Sequence, residues 1–200
     1  TLNYHTVVDD QLGTVLDNQF QALAPGGSFF FTVDDVVLPG TTTNNATWTA
    51  SEASSSATVC NNPALAIPDG NPAGVNDVMA VATSGTLTDL EVSLDVSHTW
   101  VGDIAFTVTD GTTTAAVFDR PGVPASTFGC DGDDVDAVMD DSAATPVETE
   151  CGASVPTIAG TFIPNVALAG FIGAPFAGTW TINAADFATP DPGTLNQWCL

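Results

Sequence analysis

Two hundred residues are enough for one large domain or two small ones, each able to bury a core. One basic residue against 24 acidic ones, Asp supplying 20 of them, gives a net charge of −23. A charge this negative repels polyanions, so nucleic acid and anionic lipid are excluded as partners. At 44% hydrophobic residues the chain is still not compositionally disordered. Its longest apolar stretch, 158–182, is broken by Pro164, Pro175 and several glycines, which excludes membrane insertion as helix.

No basic-then-apolar leader opens the chain, and Thr1 rather than Met stands first, as in a processed product or a fragment. From there, helical periodicity is hard to find. Short alternating runs separated by Gly, Pro, Asn and Asp predict an all-β fold. Within residues 1–52, strands are predicted near 4–8, 15–23, 28–38 and 44–51. Phe29, Phe31 and Val33 alternate in the third, and Ala46, Trp48 and Ala50 in the fourth. An immunoglobulin-type sandwich needs about seven strands, so this segment reads as half a domain. The stretch from Tyr4 through Asp10 and Gly13, the Leu23-Ala24-Pro25-Gly26 turn, Phe29-Phe30-Phe31 and the run Asn44 to Ala50 resemble the C-terminal half of an immunoglobulin-like repeat of bacterial surface proteins. Residues 53–59, with Ser54-Ser55-Ser56, read as a linker. Residues 60–200 form the larger predicted domain.

In that domain Leu90, Val92, Leu94 and Val96 alternate with Asp89, Glu91, Ser93 and Asp95, and Ile104, Phe106 and Val108 repeat the pattern. Cys60, Cys130, Cys151 and Cys199 make no CxxC pair and have no histidine cluster beside them, which argues against zinc and for two disulfides in a secreted, extracellular protein. Three pairings are open. Cys130–Cys151, closing a local acidic loop, and Cys60–Cys199, tying the start of the domain to its end, are favoured. By the chain-entropy relation each contributes about 3–5 kcal/mol, the longer loop more. The single cation, Arg120, is followed by Pro121, which leaves trypsin-type proteases essentially no favourable site.

Several motifs follow one another in order from residue 64. They are Ala66-Ile67-Pro68-Asp69, His98-Thr99-Trp100-Val101-Gly102-Asp103-Ile104, Arg120-Pro121-Gly122, Phe128-Gly129-Cys130, Asp140-Asp141-Ser142-Ala143, Gly160 to Pro164, Leu168 to Phe171, Gly178-Thr179-Trp180, Asp186 and Gly193 to Trp198. This series resembles the P domain (Homo B domain) of subtilisin-like proprotein convertases and bacterial secreted proteases. Asp110-Gly111-Thr112 departs from it, since many members have proline before the glycine. The resemblance implies a jelly-roll β-sandwich of the galactose-binding-like type that assists an adjacent protease, with calcium in many bacterial members. The fold expected for the whole chain is therefore all-β: a jelly-roll sandwich preceded by a partial immunoglobulin-like sandwich.

The residues also point to a hard cation by themselves. Asp131, Asp133, Asp134 and Asp136 crowd one glycine-containing loop, with Asp140 and Asp141 close behind. Oxygen ligands on such a loop suit Ca²⁺ better than Mg²⁺. Asp103 is a further candidate ligand, its competing role being to fix a turn. His98, Asp103 and Ser142 supply the residue types of a triad, but a triad is defined by geometry and there is no Gly-x-Ser-x-Gly elbow. His98 therefore reads as structural, and no catalytic residues are assigned. The four tryptophans (Trp48, Trp100, Trp180 and Trp198) read as core and strand-edge packing rather than as a sugar platform. The expected function is a non-catalytic, calcium-stabilised structural or interaction module outside the cell. It would be a fibre or surface-assembly subunit joined by β-strand complementation to other copies or to other extracellular proteins. Alternatives are the C-terminal P domain of a secreted subtilisin-like serine protease and a calcium-dependent carbohydrate-binding module with glycans as partners.

Overall fold

The computed structural model describes residues 2–24, 26–32, 45–51 and 56–200. The chain divides into two compact units, 1–56 and 57–200. Both are built from strands, and the fold is an all-β sandwich.

The N-terminal unit is a three-stranded antiparallel sheet. Its strands β1 (Leu2–Asp9), β2 (Gly13–Leu23) and β3 (Ala46–Ser51) lie in the order β2-β1-β3. Asp9 Oδ1 accepts the backbone N–H groups of Gln11 and Leu12 at the β1–β2 turn. Gly13 closes that turn at φ +78°, a conformation that side chains disfavour. The sheet register puts His5, Val7, Ala50 and Trp48 on one face, with Val7 opposite Trp48 and His5 opposite Ala50. Tyr4 and Phe20 meet on the other face, ring centroids 5.4 Å apart. The predicted strand over 28–38 is not found in its described part, 28–32, which has no regular structure. Its rings account for this. Phe29 packs against His5 at 5.1 Å and near Trp48, and Phe31 stacks on Phe29, so the segment contacts the sheet through side chains. Residues 33–44 and 52–55, including Val33 and most of the predicted linker start, lie outside the described residues.

The larger unit has two sheets. One runs β11 (Ile158–Phe162), β10 (Val135–Asp140), β7 (Glu91–His98), β13 (Gly193–Cys199) and β4 (Cys60–Asn61), with β5 (Leu65–Ile67) also paired to β13. The other runs β6 (Val75–Val81), β12 (Gly178–Asp186), β8 (Ile104–Thr109) and β9 (Thr114–Asp119). The period-2 pattern sets their faces: Val92, Leu94 and Val96 of β7 and Ile104, Phe106 and Val108 of β8 are all at most 1% exposed and share one core with Trp180, Ile182 and Trp198. Cys60–Cys199 staples the two-residue β4 to the end of β13, and Cys130–Cys151 closes the acidic loop. At the β8–β9 hairpin, Asp110 Oδ1 accepts the N–H groups of Thr112 and Thr113. That Asx turn fixes the hairpin locally through the Asp side chain.

Candidate functional site

Three buried polar residues, His98, Asp103 and Asp186, gather where β7 ends and β8 begins. His98 and Asp186 are 2% and 0% exposed, in a core where an unpaired polar group is costly. The backbone N–H of Trp100 donates to His98 Nδ1 at 3.0 Å. Nδ1 is therefore an acceptor, and the other nitrogen, Nε2, carries the proton toward Asp186 Oδ2 at 3.4 Å. The remaining Asp186 oxygen accepts the Ala188 N–H. His98 N–H donates to Asp134 Oδ1, and Asp134 itself sits at φ +63°, an uncommon conformation held by this bond and by Asp134 N–H to His98 O.

Two glycines make the arrangement sterically accessible. A Cβ on Gly193 would overlap the His98 ring, and one on Gly102 would collide with the backbone of Gly129 and Cys130. Gly102 lets the 128–132 segment close on the turn, through Val101 N–H to Gly132 O and Gly102 N–H to Cys130 O, both under 3.0 Å. His98, Gly102, Asp103, Phe128, Gly129, Cys130, Asp186 and Gly193, distant in sequence, thus form one contiguous structural unit.

Asp103 follows this turn and is 8% exposed. Its carboxylate accepts no hydrogen bond from the described residues. Burial, reinforced by the carboxylates of Asp186 and Asp191, pushes its carboxyl above the ordinary value, against weaker pulls from His98 and Arg120. Asp191 accepts Thr99 Oγ1–H. Phe187 N–H donates to Asp103 O, and Trp100 Nε1–H to Phe128 O. The Arg120 guanidinium lies 4.4 Å above the Phe187 ring and also reaches Asp119 at 3.4 Å. Beside the turn an open groove is lined by Ser97, His98, Thr99, Asp133, Asp134 and Gly193.

The acids expected to converge as cation ligands are spread over several tasks. Asp134 binds His98 N–H. Asp140 accepts both N–H and Oγ–H of Ser142. Asp141 accepts the N–H groups of Leu168 and Ala169 at the 3-10 turn that follows. Asp131 and Asp133 are exposed on the loop, and Asp136 is exposed on β10 directly opposite Asp95 of β7. Asp140 stands opposite Glu91 in the same register. Among the described residues no three Asp, Glu, His or Cys side chains form a group fit to hold a metal ion. Ser142 is engaged with Asp140, and both nitrogens of His98 are committed elsewhere, so His98, Asp103 and Ser142 make no relay. Trp180 and Trp198 are core residues, while Trp48 is 56% exposed. Sequence reading did not single out Asp191 or Phe187 as parts of this centre, because nothing local to them shows that the 186–193 connection passes beside residues 98–103.

No family model matches the chain, and no curated protein matches it. Among solved structures it is similar to the complex of Aeromonas sobria serine protease with its chaperone, at 15% identity and a TM-score of 0.45, covering 72% of this chain and 25% of that one. It is also similar to the Aeromonas sobria serine protease alone, at 14% identity and a TM-score of 0.42, covering 72% and 26%. The chain thus spans about a quarter of the length of those chains.

Proposed function

We propose that this chain is a non-catalytic structural and interaction module of an extracellular protein, joined to further copies or to other extracellular proteins by β-strand addition at its N-terminal sheet. One observation carries this: among the described residues, β2 and β3 each pair with β1 alone, beside the exposed large side chains Phe20, Phe30 and Trp48. Strand edges and apolar faces of that kind are covered by pairing with another chain or by partners of matching shape. Two disulfides with no free cysteine suit an oxidising, extracellular setting. Among the described residues no helix is long and apolar enough to cross a membrane. The commitment of His98 to Trp100 and Asp186 supports a structural role for the residue best placed to be a base.

Calcium belongs to this proposal as a stabilising ion held by one or two carboxylates and water. Asp131, Asp133 and the facing pair Asp95 and Asp136 offer exposed oxygens for that but no closed cage. The test is hydrodynamic: purified chain should form assemblies larger than one copy, and a chelator at constant ionic strength should lower its melting temperature. A second reading, that the chain serves as the C-terminal module of a secreted subtilisin-like protease, draws on the contiguous unit built by the P-domain-like residues. Sequencing of the parent gene tests it: an Asp–His–Ser protease domain upstream of Thr1 would establish it, and further immunoglobulin-like repeats there would remove it.

A further inference from the structure

We infer that the rim of the 98–103 turn is a docking surface for a cationic segment, bearing exposed arginine or lysine, of a partner protein. Phe128 and Phe187 are 68% and 40% exposed, yet both are tied to the turn, Phe128 through its carbonyl at 2.6 Å from Trp100 Nε1 and Phe187 through its N–H at 2.8 Å from Asp103 O. Exposed rings on a rigid frame offer contact area with little ordering entropy to lose. The turn between them carries Asp103, nine-tenths buried and without a hydrogen-bond donor, near Asp186 and Asp191. Negative charge beside exposed ring faces is the environment that a guanidinium or ammonium seeks. The chain supplies its own precedent: its one cation, Arg120, lies over Phe187 at 4.4 Å.

Charge complementarity selects the occupant. An anionic or neutral apolar segment would leave Asp103 uncompensated. A guanidinium needs only one carboxylate and one ring face. This surface lies on the larger unit and does not depend on strand addition at the other.

The test uses the full, oxidised chain and a fluorescein-labelled hexa-arginine peptide, followed by anisotropy at ~0.15 M salt, where the screening length is about 8 Å and charges in contact still attract. The native chain should bind saturably. Phe128→Ala combined with Phe187→Ala keeps the net charge and should weaken binding by ~10-fold or more. Asp103→Asn should also weaken it, whereas Asp17→Asn combined with Asp89→Asn, which removes charge elsewhere, should change it by less than ~2-fold. Phe128 is 68% exposed whereas Phe187 carries Arg120 over its ring, so Phe128→Ala alone, whose thermal unfolding should match the native chain, is measured beside the double variant and should also weaken binding. Binding that is unaffected by loss of the rings, or that is weakened as much by the paired Asp17→Asn and Asp89→Asn control as by Asp103→Asn, would overturn the proposal. So would stoichiometric displacement of the peptide by Ca²⁺ alone, which would assign the surface to a metal.

Discussion

The two disulfides close loops of very different length, and that difference yields a quantitative prediction. Cys60–Cys199 spans 139 residues and Cys130–Cys151 spans 21. The pairs are otherwise matched, since each joins one exposed cysteine (Cys60, Cys151) to one buried cysteine, Cys199 at 7% and Cys130 at 3% exposure. Replacing both members of either pair with alanine therefore removes similar local packing, and the loop term separates them. The chain-entropy relation gives about 5 kcal/mol for the long loop and about 3.3 kcal/mol for the short one. Urea unfolding of the larger unit, followed through the buried indoles of Trp180 and Trp198, measures both losses. Cys60→Ala with Cys199→Ala should cost about 2 kcal/mol more than Cys130→Ala with Cys151→Ala, with a steeper denaturant dependence because the uncrosslinked chain expands further. If the short-loop variant loses as much stability as the long-loop one, constraint of the unfolded chain is not what these bonds contribute.

Asp103→Asn should alter the pH profile in a definite sense. Because burial and neighbouring acids raise its native pKa above 3.8, the protonated form stabilises the fold at low pH. That stability is fully present below the unfolded value and is lost as pH rises through the native one, so the asparagine variant should gain on the native chain over that rise and keep its advantage at neutral pH. The opposite sign holds for Asp10, whose carboxyl is held below its ordinary value by the backbone and then the side chain of Asn45. Asp10→Ala should lose a contribution that is present above the unfolded value and fades as pH falls through the lower native one, measurable by carboxyl titration in NMR. Gly193→Ala should destabilise by about 1–3 kcal/mol because its methyl group meets the His98 ring. In the background of His98→Ala its added cost should shrink, a non-additivity that a double-mutant cycle reads directly. With 24 acids against one base and acids facing each other at Asp95–Asp136 and Glu91–Asp140, salt should raise the melting temperature, and Asp136→Asn, measured in chelator, should stabilise by about 0.2–1 kcal/mol at low ionic strength.

The strands were legible where alternation was strong. Leu90 to Val96 and Ile104 to Val108 bury the residues their period-2 pattern assigns to the core. Phe29 and Phe31 show the limit of such patterns: alternating aromatics predict a strand, but the same side chains can instead pack over a neighbouring sheet without backbone pairing. The acidic loop marks a second limit. Proximity in sequence placed Asp134, Asp140 and Asp141 together, yet each carboxylate is drawn to a different backbone N–H, a competition that composition does not display. Asp186 and Asp191 reach the His98 turn only through the β12–β13 connection, and that adjacency is set by sheet order rather than by any local signal.

Sedimentation analysis of the oxidised chain at raised salt, with electron microscopy of the same sample, bears most directly on strand addition through the N-terminal sheet. Masses that grow with concentration, together with linear particles, are the expected result. A single species at the mass of one copy throughout, with the outer-edge amides of β2 and β3 protected from hydrogen exchange, would show that the sheet is already complete within one chain.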